Sequence, residues 1–211
     1  MKRIALFLVL AGMISIHSAN AQLAWGARVG LCYSTLSGDG AEFESAPAFE
    51  FGPTVYYSLG ERTYFNSGLM YSIKRFSYEE NYTHGYYKAD IKLNYLELPL
   101  YVGYVIPAGN FSLYAQAGPY FGFKVSESAE WDFNSYMYPE DNSIGTSNSG
   151  ANGFNAGLGI VGGVNINKFK IELGYQMGLT NVLSEEEFDS DYSGGATAKI
   201  GSLFAGISYV F

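Results

Sequence analysis

From Phe169 to Thr180 the chain alternates without a break. Phe169, Ile171, Leu173, Tyr175, Met177 and Leu179 share one parity, and Lys170, Glu172, Gly174, Gln176, Gly178 and Thr180 share the other. A strand turns successive side chains to opposite faces, whereas a helix would scatter this pattern around its axis. The segment is therefore a strand with one apolar face and one polar or small face. The same pattern sets Phe111, Leu113, Ala115, Ala117, Phe121 and Phe123 against Ser112, Tyr114, Gln116, Gly118, Tyr120 and Lys124. It returns in Leu203, Ala205, Ile207, Tyr209 and Phe211, and in Trp25, Ala27, Val29, Leu31 and Tyr33.

Eight segments carry this character, over 23–35, 46–59, 62–77, 87–106, 110–126, 152–166, 168–182 and 196–211. Each exceeds the about 9–11 residues that a tilted strand needs to cross a bilayer. Connections alternate in length. Tight turns are expected near Gly60-Glu61, at Pro107-Ala108-Gly109 and over Asn165 to Lys168, and the others are longer, reaching Glu127 to Ala151. Of the 20 acidic residues, 15 fall in the four long connections, which leaves the apolar faces almost free of charge. A soluble ligand-binding barrel would put its apolar face inside and its charges outside. Here the small, glycine-rich face is too slight to form a core, so it must be the interior and the apolar face must meet lipid. The expectation is an all-β, eight-stranded antiparallel transmembrane β-barrel, an up-and-down meander with short periplasmic turns and longer external loops. The 19 Tyr, 15 Phe and 26 Gly suit that architecture.

The first 21 residues read as a secretory signal: Lys2 and Arg3, an apolar run from Ile4 to Ile16, then Ala19-Asn20-Ala21 before cleavage. The run falls short of the roughly 20 residues of a spanning helix. Residues 22–211 are then one barrel domain, delivered to the outer membrane by Sec export. Losing Lys2 and Arg3 moves the net charge from −8 to −10. That excludes nucleic acid as a partner, since phosphate backbones need basic surface. The single cysteine, Cys32, allows no internal disulfide.

Two passages carry a resemblance. Asn94-Tyr95-Leu96-Glu97-Leu98-Pro99-Leu100 resembles the Y-L-E-[IL]-P-L segment of the PorT-like family of small outer-membrane barrels of the Bacteroidota. Ala205 to Phe211 resembles the terminal strand of outer-membrane barrels generally. The resemblance implies an outer-membrane barrel whose last strand, ending on Phe211, is read by the barrel-assembly machinery. It also implies that Glu97 faces the lumen beside Pro99.

Inward faces place five charges in the barrel: Arg28, Glu50, Glu97, Lys124 and Glu172. An eight-stranded barrel has room for interlocked side chains, and buried charges must pair. These residues are expected to form an internal plug, with a gated conductance or proton path as the alternative. The fourth segment changes parity between Ile91, Leu93, Tyr95 and Leu96, Leu98, Leu100. Either a bulge near Tyr95 or a strand projecting above the bilayer accounts for it. Gly157, Gly159 and Gly162 match a dinucleotide-binding spacing, but within a strand and without a following helix, so close packing or strand curvature is the reading. Glu185, Glu187, Asp189 and Asp191 are weak Ca²⁺ candidates. The sequence begins an EF-hand-like loop at Asp189 but offers Ile200 where a bidentate Glu is required.

No cofactor and no catalytic group is expected. The one enzymatic alternative is a membrane hydrolase using His84, the sole histidine after the signal. Aromatic girdles are expected at both interfaces. Trp25, Tyr57, Tyr64, Tyr101, Tyr104 and Tyr209 mark the periplasmic one, and Tyr33, Tyr78, Tyr82, Tyr86, Tyr87 and Trp131 the outer. The functional expectation is a structural barrel, or one that binds an external protein or glycan through acidic, tyrosine-rich loops. A narrow channel or secretion-accessory barrel is the alternative.

Overall fold

The computed structural model describes residues 22–38, 44–82, 85–135, 143–147, 151–182 and 198–211. The strands are β1 (Leu23–Gly38), β2 (Glu44–Ser58), β3 (Thr63–Gly68), β4 (Met70–Tyr82), β5 (Gly85–Ala108), β6 (Phe111–Ser135), β7 (Ser143–Ser147), β8 (Phe154–Ile166), β9 (Phe169–Gly178) and β10 (Ala198–Val210). All neighbours pair antiparallel.

β3 and β4 are two halves of one strand. Thr54 faces Gly68 and Phe51 faces Tyr71, so the register is the same on either side of the interruption at Leu69. The ladder breaks there opposite Pro53, which has no N–H to give. With these halves joined, eight strands close a ring in chain order: β1, β2, β3/β4, β5, β6, β8, β9, β10 and back to β1. The seam is long, running from Gly26↔Val210 to Gly38↔Ala198. β7 lies outside the ring, paired to the far end of β6.

Parity decides what faces lipid. Val29, Leu31, Phe51, Val102, Ile160, Ile171, Leu173 and Ile207 point out of the wall, and each is about half exposed to the surroundings. Arg28, Glu50, Glu172, Gln176 and Ser208 point in and are buried. Tight turns lie at one end, over Gly109-Asn110 and Asn167-Lys168. Gly109 and Asn167 adopt positive φ there, 73° and 54°, as two-residue hairpin turns demand. The strand ends at Leu23 and Val210 lie at the same end.

At the opposite end the wall grows taller than the sequence suggests. The connection expected over Glu127 to Ala151 is in good part ordered strand. β6 continues to Ser135 and pairs with β5 as far as Gly85↔Ser135, and β7 pairs back on it. The β4–β5 pair likewise runs out to Tyr82↔Gly85. These stretches lack apolar alternation because they stand in water, but pairs such as Glu79↔Lys88 and Lys88↔Asp132 suit a solvated ladder.

The parity change in β5 falls where a bulge lies at Asn94–Tyr95 and where the strand rises above the apolar band. Leu93, Tyr95, Glu97, Pro99 and Tyr101 all point inward, and β5 never changes face. The bulge is on its partner: Asn94 faces Ser126 while Tyr95 faces Lys124, leaving Val125 as the extra residue of β6. The change in sequence pattern records a change in the lumen, from charged to apolar.

The barrel interior as candidate functional site

The interior is stacked in three layers. Nearest the tight turns, Tyr56, Tyr64 and Tyr114 pack with Ala24, Val105 and Val210 around them. In the middle, Cys32, Ala48, Tyr101, Val161 and Phe204 cluster. At the loop end, Phe76, Leu93, Tyr95, Val182, Ala198 and Ile200 form an apolar cap.

Charges thread between these layers. Arg28 on β1 is ion-paired with Glu50 on β2, and its Nε lies 2.8 Å from Glu172 on β9. Its guanidinium also sits over the Phe204 ring, 4.4 Å from the centroid. Glu172 accepts a 2.6 Å hydrogen bond from the Tyr114 hydroxyl. Beside it, Lys170 Nζ is enclosed by three tyrosine rings, 4.1 Å from the centroids of Tyr56 and Tyr114 and 4.8 Å from that of Tyr64. The tyrosine faces carry negative quadrupole charge and substitute for a carboxylate. Above, Lys74 Nζ lies 3.0 Å from Glu97 and donates to Gln176 Oε1 at 3.3 Å. Gln176 Nε2 donates in turn to Glu97 and to the Tyr101 hydroxyl.

Among the described residues, the buried charges are Arg28, Lys74 and Lys170 against Glu50, Glu97 and Glu172. Three positive groups meet three negative ones, so the lumen is neutral. That balance is what a low-dielectric interior requires.

Of the five residues expected inside, Arg28, Glu50 and Glu172 meet in one cluster, and Glu97 stands in the next. Lys124 joins neither. It lies near the loop end, 2.8 Å from Glu127 and bonded to the Ala151 carbonyl. Lys74 and Lys170 were missed. Both have the inward parity of their strands, and Lys170 shares its face with Glu172, so parity applied to β4 and β9 would have found them. The tyrosine cage leaves no such signal, because Lys170 on β9 is far along the chain from the β2–β3 hairpin that carries Tyr56 and Tyr64 and from Tyr114 on β6.

Two girdle residues are also displaced. Tyr64 and Tyr101 are interior, 9% and 1% exposed, whereas Tyr57 and Tyr104 do face outward at 40% and 46%. The inward tyrosines need empty space on nearby strands, and glycines provide it. A Cβ at Gly159 would overlap the Tyr101 hydroxyl, one at Gly103 the Tyr64 ring, and one at Gly157 Met177 and Tyr120. Close packing thus accounts for two glycines of the dinucleotide-like run. The third, Gly162, faces outward with nothing closer than 3.9 Å to a Cβ, so packing does not account for it. Glu185, Glu187, Asp189, Asp191 and His84 lie outside the described residues.

A family profile described as outer membrane protein beta-barrel domain matches residues 18–184. The chain belongs to this family. It is an outer-membrane protein that spans the lipid bilayer as a multi-stranded antiparallel barrel. Its ring of strands is similar to that of several solved barrels at low identity. The attachment invasion locus protein Ail of Yersinia pestis is 16% identical, with 90% of this chain and 99% of that one covered at a TM-score of 0.41. Neisserial surface protein A is 13% identical, with 89% and 97% covered at 0.42. OprG of Pseudomonas aeruginosa is 12% identical, with 93% and 99% covered at 0.40. No curated protein sequence matches the chain.

Proposed function

We propose that this protein is a sealed, non-enzymatic barrel that anchors in the outer membrane and holds acidic, tyrosine-rich strand extensions outside the cell for a protein or glycan partner. The observation that carries the reading is the filled, charge-balanced lumen. Lys74, Glu50, Glu97 and Tyr101 are each 1% exposed, and the apolar cap of Phe76, Leu93, Tyr95 and Ile200 lies across the loop end. Water and ions would need every one of these groups to move. The external extension supports the second half of the reading. Tyr78 packs edge-on against Tyr87 at 6.2 Å between centroids, and the Tyr86 hydroxyl donates to Asp132 at 3.1 Å. A braced ladder presents such side chains at a low entropic cost.

Within the family, we place the chain among the PorT-like barrels of the Bacteroidota on the Asn94–Leu100 segment. Its alternation fits a wall segment, with Tyr95, Glu97 and Pro99 inside and Leu96, Leu98 and Leu100 toward lipid. On the same resemblance, the strand ending at Phe211 is the element that the assembly machinery reads.

Single-channel recording in planar bilayers tests the seal. The purified barrel is expected to show no steady conductance. Steady openings that change when Glu97→Gln or Lys74→Gln is introduced would replace this reading with the channel alternative. Deleting residues 128–148 is expected to leave a folded barrel that has lost binding on a glycan or protein array, and equal binding would end the presentation half. Hydrolysis of lipid or peptide substrates by the purified protein, lost in His84→Ala, would overturn the non-enzymatic reading.

A further inference from the structure

The lipid-facing wall has one irregular place, and it coincides with a concentration of charge. Between Ala46↔Arg75 and Glu50↔Ser72 the β2–β4 register slips by one residue, and β2 carries the extra one over Pro47–Phe49. Pro47 cannot donate to the ladder. The slip opens a recess of about 410 Å³ in the outer surface, which spreads from Pro47, Phe49 and Ile73 onto Arg75 and Lys92 and up to Asp90 and Glu130.

Its height in the membrane follows from the outward residues of three adjacent strands. On β4 they read Tyr71, Ile73, Arg75; on β5, Leu98, Leu96, Asn94, Lys92; on β6, Phe123, Val125, Ser126, Ser128. The apolar band ends between Ile73 and Arg75, and again just below Asn94 and Ser126. Arg75 and Lys92 therefore stand one step above the lipid boundary, on the side of the long external extensions. They are also directly opposed across the β4–β5 ladder. Like charges in this position repel. Both are exposed, and among the described residues neither has a carboxylate within ion-pair distance. One pleat step further out, Asp90 and Glu130 are directly opposed on β5 and β6. Asp90 is engaged by the Ser77 hydroxyl at 2.7 Å and by Lys88 at 3.8 Å.

From this geometry we propose that the recess binds a phosphate-bearing lipid of the outer leaflet, with its phosphate between Arg75 and Lys92 and the start of an acyl chain against Pro47, Phe49 and Ile73. An anion between the two cations converts their repulsion into two charge-assisted hydrogen bonds. The acidic row of Asp90 and Glu130 stands on the water side of that position and repels anions arriving from solution. The unobstructed approach is from the membrane, which is why a lipid fits better than free phosphate. In a chain of net charge −8 such a paired basic step is not a by-product of general basicity.

Native mass spectrometry of the full barrel released from detergent tests this with three probes: phosphatidic acid, phosphatidylcholine and inorganic phosphate. The wild type is expected to retain one phosphatidic acid about tenfold more than phosphatidylcholine, the size of effect that one or two charge-assisted bonds give. R75Q/K92Q should lose that preference, while R62Q/K199Q, which removes equal charge elsewhere, should keep it. All variants are checked for the mobility difference between boiled and unboiled samples. Equal retention of the two lipids by the wild type, or preference surviving in folded R75Q/K92Q, overturns the proposal. Inorganic phosphate displacing phosphatidic acid at equal concentration would show a solution-anion site and overturn it as well.

Discussion

Lys74 and Glu97 depend on each other more than either depends on the rest of the lumen. Each side chain is 1% exposed and their charged atoms lie 3.0 Å apart. Among the described residues, removing Lys74 alone leaves this carboxylate in a closed interior with only Gln176 Nε2 as a donor to it, at 3.2 Å. Breaking a buried pair from one side costs about 3–5 kcal/mol, whereas replacing both partners by apolar groups is often neutral or stabilising. Lys74→Met is therefore expected to lower the unfolding free energy of the barrel, from urea titration in vesicles, by that order, and Lys74→Met with Glu97→Leu to recover most of the loss. A double variant as unstable as the single would mean that Gln176 and Tyr101, not the pair, hold this layer. Lys170 makes the contrasting case. Its charge is held by three rings and by the nearby Glu172, so Tyr114→Phe removes only the 2.6 Å bond to Glu172 and keeps the ring. The expected cost is about 1.5–3 kcal/mol, the value for one hydrogen bond to a charged group, measured in the same urea titration. A cost near zero would show that Glu172 is satisfied by Arg28 alone.

The lumen is built around fits between glycine and tyrosine. Gly159 on β8 faces Tyr101 on β5, and these strands are separated in the ring by β6. The fit is side-chain packing that reaches past the neighbouring strand. Gly159→Ala should force Tyr101 from its place beside Gln176 and destabilise by about 1–3 kcal/mol, the usual range for overpacking. Gly162→Ala, three residues along the same strand, should be silent because its Cβ would meet lipid. Equal effects in a thermal melt would mean that strand flexibility, not the tyrosine, is what these glycines provide. The same contrast shows where the sequence was legible. Period-two alternation exposed the wall of the barrel because each strand carries it locally, and with it the inward Arg28, Glu50 and Glu172. Lys170 on β9 lies far along the chain from Tyr114 on β6 and from the β2–β3 hairpin of Tyr56 and Tyr64, so its cage could not be assembled in advance. The bulge near Tyr95 takes its extra residue, Val125, from the partner strand, which the pattern of β5 alone does not show. Ile91 and Leu93 change the parity of β5 because the lumen at the loop end is itself apolar.

At the scale of the molecule, closure is what makes the barrel resistant. Each of the eight ring strands has two neighbours, and the β1–β10 seam is paired from Gly26 to Gly38. In hydrocarbon an unpaired backbone group costs several kcal/mol and no water replaces the partner, so the ring cannot open strand by strand at low cost. The barrel should therefore survive detergent unboiled and migrate differently on a gel after boiling. Two deletions, one outside the ring and one at its seam, distinguish closure from mere strand content. Among the described residues β7 pairs only with the extension of β6, outside the ring, so deleting Ser143–Ser147 is expected to keep the mobility shift. Deleting Leu203–Phe211 removes most of the seam's partner strand and exposes both β1 and β9. It is expected to abolish the shift and the chain's recovery in the outer-membrane fraction. If the full-length chain migrated identically before and after boiling and stayed free in the periplasm, the apolar wall would have to be an interior. Every assignment of Val29, Phe51 and Ile171 to lipid, and of Arg28, Glu50 and Glu172 to the lumen, would then reverse together, because a single parity fixes them all.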